Sequence, residues 1–312
     1  MATFQDLINK TYLRLMPTAR DIVVTLSGNT LAGATSLPFT DASFGDVASG
    51  AIQIGSILSV DLELMLVVGT PAAGSIPVSP GYRGSTQAAH TSGVLIHVNP
   101  LYSDFQIGQA INDDLFSLSS MENGLFSVGI LEFTYNPVII GYDLTDVNTG
   151  LPIPGFRDII AVRYKTPFPD RKYIGIPEQK WELVPIDSSD LNFPTGYQLN
   201  LMSSGYPGQP VEVIYRASFN PLVNYTDNVQ TTAGLLTSMN DLPPMGAEII
   251  LVAPREVRRN DPGAQPDSRL APEVPPNAIQ NSTAGVAKLR ERRITEEAAN
   301  LTALVNRYRR RY

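Results

Sequence analysis

Turn-forming residues interrupt this 312-residue chain at short intervals, and this limits the folds that are open to it. The chain contains 24 glycines and 25 prolines, which separate short apolar runs such as residues 21–26 and 197–201. In residues 197–201 apolar and polar side chains alternate with the period of a half-buried strand. The pattern predicts a small barrel or sandwich within residues 21–100 and a second, jelly-roll-like β-sandwich within residues 125–253.

Three other segments have helical spacing. Residues 3–16 carry one apolar face, with Thr3 and Asp6 placed as a capping box. Residues 104–118 form a second candidate, with Asp104 as its predicted cap, and residues 286–311 form a third. The predicted fold class is therefore mainly β with flanking helices, an α+β arrangement.

The chain divides into four predicted parts. Residues 1–124 hold the first helix, the small β-domain and the second helix, and residues 125–253 hold the β-sandwich. Residues 254–285 contain six prolines and almost no large apolar side chains, so they are expected to form an extended arm that has no core of its own. Residues 286–312 are predicted to be a basic C-terminal helix.

Charge is distributed unevenly along the chain. Residues 286–312 contain eight basic and three acidic side chains, hence a net charge of +5, so the rest carries −12 of the total of −7. The apolar residues of this helix recur in a heptad-like seam. We predict a partner-binding surface here, and its residues are Arg292, Arg293, Leu301, Val305, Tyr308, Arg309 and Arg310. A protein partner is favoured, and contact with DNA stays open.

Motifs for catalysis, metal binding or cofactor binding are sparse. The chain has no cysteine, and its two histidines, His90 and His97, do not have the spacing of a zinc site. Nucleophile-elbow, phosphate-loop and dinucleotide-binding glycine patterns do not occur. We therefore predict no catalytic residue, cofactor or metal. The most apolar stretch, residues 57–68, is short and contains two acids, so we predict no membrane segment and synthesis in the cytoplasm.

Residues 81–100 contain a motif of the form R-G, then T, A, H and G, formed by Arg83, Gly84, Thr86, Ala89, His90 and Gly93. This segment resembles a sequence found widely in virion proteins of tailed bacteriophages. The turn is shorter here, with Ser85 where glycine is common. The residues themselves indicate a tight turn between two strands, in which Arg83 reaches a carboxylate or carbonyls and His90 bonds across the turn.

Together with residues 107–115 and 289–298, this segment resembles the neck proteins (head-to-tail connectors or adaptors) of siphoviruses that infect actinobacteria. The resemblance implies a virion protein in a ring of about twelve subunits docked on the portal. The implied partners are the portal protein, other neck and tail proteins, and DNA in transient, non-specific contact.

Two alternatives stay open. In the first, the chain is a tail-tip, baseplate or head-decoration protein whose sandwich binds carbohydrate or a receptor, with exposed aromatics among Tyr164, Tyr173, Trp181 and Tyr197. In the second, it is a cell-wall hydrolase that uses His90 or an acid such as Asp61.

Overall fold

The structure is a computed structural model that describes most of the chain. The described ranges are residues 2–15, 22–40, 52–72, 74–139, 141–145, 152–165, 173–187, 189–202, 205–259 and 278–310. Within them the fold is a mixture of helices and strands in which strands predominate. This agrees with the predicted mainly β fold with flanking helices. A closed barrel, a two-sheet sandwich and a group of helices are the three parts.

The first part is a six-stranded antiparallel barrel. Its strands are β1 (Ile22–Leu26), β2 (Ser36–Thr40), β3 (Ile57–Val60), β4 (Glu63–Val67), β5 (Ser75–Ser79) and β6 (Leu95–Val98). They close in the order β1-β2-β5-β4-β3-β6. Alternate apolar side chains point inward and fill the barrel, among them Leu58, Met65, Ile76 and Ile96. The predicted small β-domain is confirmed in the form of a barrel.

The second part is a sandwich of two antiparallel sheets. Its strands are β7 (Ser127–Thr134), β8 (Gly141–Asp143), β9 (Phe156–Lys165), β10 (Tyr173–Ile176), β11 (Trp181–Pro185), β12 (Tyr197–Leu201) and β13 (Pro210–Ala217). One sheet has the order β10-β9-β13-β7 and the other β11-β12-β8. Both contribute to one core, which includes Leu131, Val162, Leu199 and Val213. A jelly roll has eight strands, and the described ranges give seven, so the sandwich is supported but not the finer jelly-roll assignment.

Helices from distant parts of the sequence form the third part. They are α1 (Phe4–Leu15), α2 (Asp104–Leu118), α3 (Leu242–Arg259) and α4 (Ala278–Arg310). They share a core that includes Leu7, Ile111, Leu242 and Leu301. Residues from the segments that follow α2 and β13, such as Leu125 and Leu222, also belong to this core. The helical core therefore joins residues from both sides of position 124, and the predicted domain boundaries stay a prediction.

The capping box predicted for α1 is confirmed, whereas the cap predicted for α2 is wrong. The backbone N–H of Asp6 donates to Thr3 Oγ1 at 3.3 Å, and the N–H of Thr3 donates to Asp6 Oδ2 at 2.9 Å. In α2 the cap is Ser103, which accepts from the N–H of Gln106 while the Gln106 side chain accepts from the N–H of Ser103. Asp104 lies one residue further on, inside the first turn.

The apolar runs at residues 138–140 and 248–252 also predict strands of the sandwich, but neither is a strand over its described residues. Residues 248–252 lie within α3, because a short apolar run fits a buried helix as well as a strand when its neighbours are ignored. Pro243 and Pro244 stand in the first turn of this helix, where proline is tolerated. The strand predicted at residues 138–140 begins instead at Gly141, after a turn in which Asn136 Oδ1 accepts from the N–H of Val138 at 3.0 Å.

The prediction of an extended arm over residues 254–285 is wrong at both ends. Residues 254–259 continue α3, and α4 begins at Ala278 rather than at 286. The remainder, residues 260–277, lies outside the described residues. The terminal helix was also expected to bury its apolar side only on a neighbouring chain. Instead Ile294, Leu301 and Val305 are buried against this chain's own core, because α3 and β9 offer α4 an apolar surface.

Candidate functional site

The turn motif leaves the barrel after β5 through an unusual backbone. Gly81, Arg83 and Gly84 all have positive φ, at 67°, 53° and 81°. A left-handed backbone is uncommon for a residue other than glycine, so Arg83 needs surrounding contacts to hold it there. Residues Tyr82–Gly84 form a short 3-10 turn that follows Gly81.

Strand β4 supplies those contacts through Glu63. One carboxylate oxygen, Oε1, accepts from the N–H of Gly81 at 3.0 Å, and the other, Oε2, accepts from the N–H of Ala88 at 2.9 Å. Ser85 Oγ accepts from the N–H of Leu64 at 2.9 Å and donates to the Leu64 carbonyl at 3.2 Å. Glu63 is 1% exposed. A single buried carboxylate therefore joins both ends of the turn to the barrel wall.

His90 completes the cluster. Its Nδ1 lies 2.9 Å from Asp61 Oδ2, and its Nε2 lies 2.9 Å from Glu63 Oε2. Each nitrogen faces a carboxylate, and both can donate at once only when the ring is protonated. Burial by itself lowers the pKa of His90, but the hydrogen bonds and charges of Asp61 and Glu63 outweigh it and raise that pKa above its ordinary value.

The other residues of the motif lie at the surface. Arg83 is exposed, and its guanidinium carbon lies 5.4 Å from the centroid of the Tyr82 ring. Our expectation that Arg83 fixes the turn by reaching a carboxylate or carbonyl is therefore wrong, because Glu63 and Ser85 do so. Thr86 is exposed, and Gly93 (φ 93°) lies in the turn before β6.

Glu63, the centre of this site, is not among the site residues predicted from the sequence. Asp61 and Glu63 lie two apart on a predicted strand and so face the same side, a pattern that is more typical of a solvated acidic patch. Asp61 is indeed partly exposed, with 39% of its side chain accessible, but the side chain of Glu63 is fully buried. No signal close to Glu63 in the sequence separates it from a solvated acid.

The predicted partner-binding residues of α4 have different environments. Arg292 is exposed and pairs with Glu296 at 3.0 Å. Arg293 pairs with Asp241 at 2.9 Å and with Glu297 at 3.0 Å. Leu301 and Val305 are 1% and 3% exposed. Tyr308 is half-buried beside the outer face of the four-stranded sheet. Arg309 and Arg310 lie in the last turn, and their side chains are outside the described residues. Binding of a partner by this surface stays a prediction.

A buried ion pair attaches α4 to α2. Arg290 Nη2 donates to Asp114 Oδ1, and the Asp114 side chain is 4% exposed. Helix α3 approaches this pair closely, since a Cβ on Gly246 would lie 1.8 Å from Asp114 Oδ1. Burial raises the pKa of Asp114 to about 7 even though the charge of Arg290 acts in the opposite direction.

A cavity of about 500 Å³ lies beside the turn motif, between the barrel and α2. Phe4, Leu62, Phe105 and Tyr225 give it a largely apolar lining, and Asp61 lies at its edge. The Tyr225 hydroxyl donates to Asp104 Oδ2. Among the residues that the structure describes, no group of three or more ionisable side chains is arranged to hold a metal ion.

The aromatic side chains proposed for glycan binding are mostly not at the surface. Tyr164 is 5% exposed and packs edge-on against Tyr135, with ring centroids 5.8 Å apart. Trp181 and Tyr197 are half-buried in the sandwich, and the side chain of Tyr173 lies outside the described residues. Tyr164 therefore cannot be one of the exposed aromatics that the binding alternative requires, because it belongs to the core of the sandwich.

No protein-family model matches this chain, and no curated protein matches it either. None of the helices within the described ranges combines the length and the apolarity needed to cross a membrane.

Proposed function

We propose that this chain is a structural protein of a tailed bacteriophage particle, and that its subunits form a ring of about twelve docked on the portal. The observation that carries the proposal is the turn motif of residues 81–93. Its sequence resembles that of phage neck proteins, and in this fold the motif is a rigid turn that presents Arg83 outside a closed barrel.

The buried ionisable side chains form contacts between elements of the fold, and this supports a mechanical role. Glu63 and His90 hold the turn on the barrel, and Asp114 and Arg290 hold α4 on α2. A general base needs an accessible lone pair, and both ring nitrogens of His90 face carboxylates inside the protein. A hydrolase that depends on His90 is therefore disfavoured.

The sandwich offers a route to ring closure. In the described strands, β7 and β10 each pair on one side only and form the two edges of the four-stranded sheet. Joining β7 of one subunit to β10 of the next would be a head-to-tail contact, and such contacts close into rings when the rotation permits. Ile130 on β7 is 54% exposed and Ile174 on β10 is 58% exposed.

The charge of the chain agrees with a role in DNA passage. A net charge of −7 gives little affinity for phosphate, so DNA would move through such a ring without being held. The portal, the neighbouring neck or tail proteins and a second copy of this chain are the proposed partners, and the virion neck is the proposed location.

Mass photometry of the purified chain tests ring formation. We expect a species of about twelve subunits that becomes more abundant with concentration. Ile130→Lys should reduce it, because lysine on an edge strand opposes pairing. Val68→Lys is the control, since Val68 is 52% exposed on the barrel and away from that edge. A chain that stays monomeric at every concentration, alone and with portal protein, would contradict the proposal.

A further inference from the structure

A second cavity, of about 380 Å³, lies where the sandwich meets the loop that follows β13. Its polar wall is formed by Ser127, Tyr215, Ser218, Asn220, Gln230 and Thr232. Among the described residues that line it, none carries a formal charge at neutral pH. In this respect the cavity differs from the one beside the turn motif, which is lined by the acids Asp61 and Glu63.

Two glycines allow the walls of this cavity to come close together. A Cβ on Gly129 would lie 2.2 Å from Tyr215 Cζ, so the tyrosine ring lies directly over the backbone of β7 at this glycine. A Cβ on Gly234 would lie 2.1 Å from Ser127 Oγ. Because both positions lack a side chain, Tyr215 and Ser127 can lie against the backbone at these glycines, where they line the cavity.

The polar groups of the cavity keep hydrogen-bonding capacity of both kinds. Ser218 Oγ accepts from Arg157 Nε at 3.1 Å, which leaves its hydroxyl proton to donate. Asn220 Nδ2 donates to the carbonyl of Thr232 at 3.3 Å, which leaves Asn220 Oδ1 as an acceptor. Gln230 Oε1 is 3.4 Å from Thr237 Oγ1, and its amide nitrogen keeps two donors.

We propose that this cavity binds one residue of a neutral carbohydrate, a hexose or an N-acetylhexosamine. Sugar hydroxyls both donate and accept, as do the groups of this wall, and the Tyr215 ring offers an apolar surface to the pyranose ring. None of the described residues that line the cavity carries a formal charge, so the lining itself offers no counter-charge to a charged ligand. The size lies in the range of small-molecule sites. This binding activity goes beyond ring formation and does not depend on it.

The test is a calorimetric and NMR titration of the full chain with glucose, galactose and N-acetylglucosamine. We expect saturable binding of at least one of them with a dissociation constant of about 1 mM. Gln230→Ala should weaken it about ten-fold by removing a donor. Ser127→Leu should abolish it by filling the cavity. Gln5→Ala, at an exposed glutamine on α1, is the matched control and should leave binding unchanged.

Three results would overturn the proposal. The first is no saturable binding of any neutral sugar by the folded chain. The second is binding that Gln230→Ala leaves unchanged, a result that is informative even if Ser127→Leu fails to fold, because Gln230 is exposed on a loop. The third is a response of the cavity residues to protein concentration alone, which would assign the cavity to a contact with a second copy of the chain.

Discussion

Replacing Asp114 by asparagine is expected to change how the stability of the chain depends on pH. Burial raises the pKa of Asp114 from its ordinary 3.8 to about 7, and the charge of Arg290 does not offset it. Between these values the folded chain keeps a proton that the unfolded chain has lost. The stability that protonated Asp114 contributes is therefore complete below about pH 4 and is lost as the pH rises to about 7.

The size of this effect follows from the difference in pKa. About 3 pH units at about 1.4 kcal/mol each correspond to about 4 kcal/mol. The Asn variant has no group that titrates at this position, whereas all other groups are shared. The free energy of unfolding of the original chain, measured relative to Asp114→Asn, should thus fall by about 4 kcal/mol between about pH 4 and pH 8.

Urea unfolding followed by circular dichroism at a series of pH values measures this difference. Asp113→Asn is the matched control, because Asp113 is the next residue on α2 and is exposed. Its pH profile should run parallel to that of the original chain. A profile of Asp114→Asn that also runs parallel to that of the original chain would refute the reasoning. So would a gain in stability of the original chain relative to Asp114→Asn with rising pH, because that result requires the charge of Arg290 to outweigh burial.

Three further predictions concern the turn motif and the terminal helix. His90→Ala should lower the free energy of unfolding by about 3 kcal/mol, because Glu63 stays buried without its cation. Since the pKa of His90 is raised in the folded chain, this contribution is complete below pH 6.5 and is lost as the pH rises through the folded pKa. Urea unfolding at acidic and at alkaline pH should therefore show the larger effect of the substitution at acidic pH. Gly81→Ala should cost about 1 to 2 kcal/mol in thermal unfolding because φ is 67° there, while Gly285→Ala, in α4 with open space around it, should be neutral or stabilising. Val305→Asp should lower the free energy of unfolding of the monomer by more than about 3 kcal/mol, because it buries a charge against the sheet. Val68→Asp at the barrel surface is the control and should lower it little. Equal stability of the two variants would mean that α4 is not packed on its own chain.

Local patterns in the sequence predicted much of the fold. The short runs with period two became the barrel and the sandwich, and the spacing of Phe4, Leu7 and Ile8 gave α1 with its cap at Thr3. These signals are local, because they depend on residues a few positions apart. The misassigned α3 shows their limit, since residues 248–252 are too short a run to distinguish a strand from a buried helix without the surrounding contacts.

The candidate site depends on contacts between residues far apart in sequence. His90 meets Glu63 across 27 positions, and Arg290 meets Asp114 across 176. Nothing within a few residues of Glu63 distinguishes it from a solvated acid, because its burial results from the closure of the barrel and the return of the turn. For the same reason the apolar seam of α4 was predictable, whereas the surface on which it packs was not.

The most direct test of the proposed function is a cryo-EM reconstruction of the virus particle in which this chain is proposed to lie. We expect a ring of density between portal and tail that fits the barrel and the sandwich, with the turn around Arg83 or the edge of β7 at a contact between subunits or with the portal. Density for the chain at the tail tip or on the outside of the capsid, or a particle that lacks the chain, would contradict it.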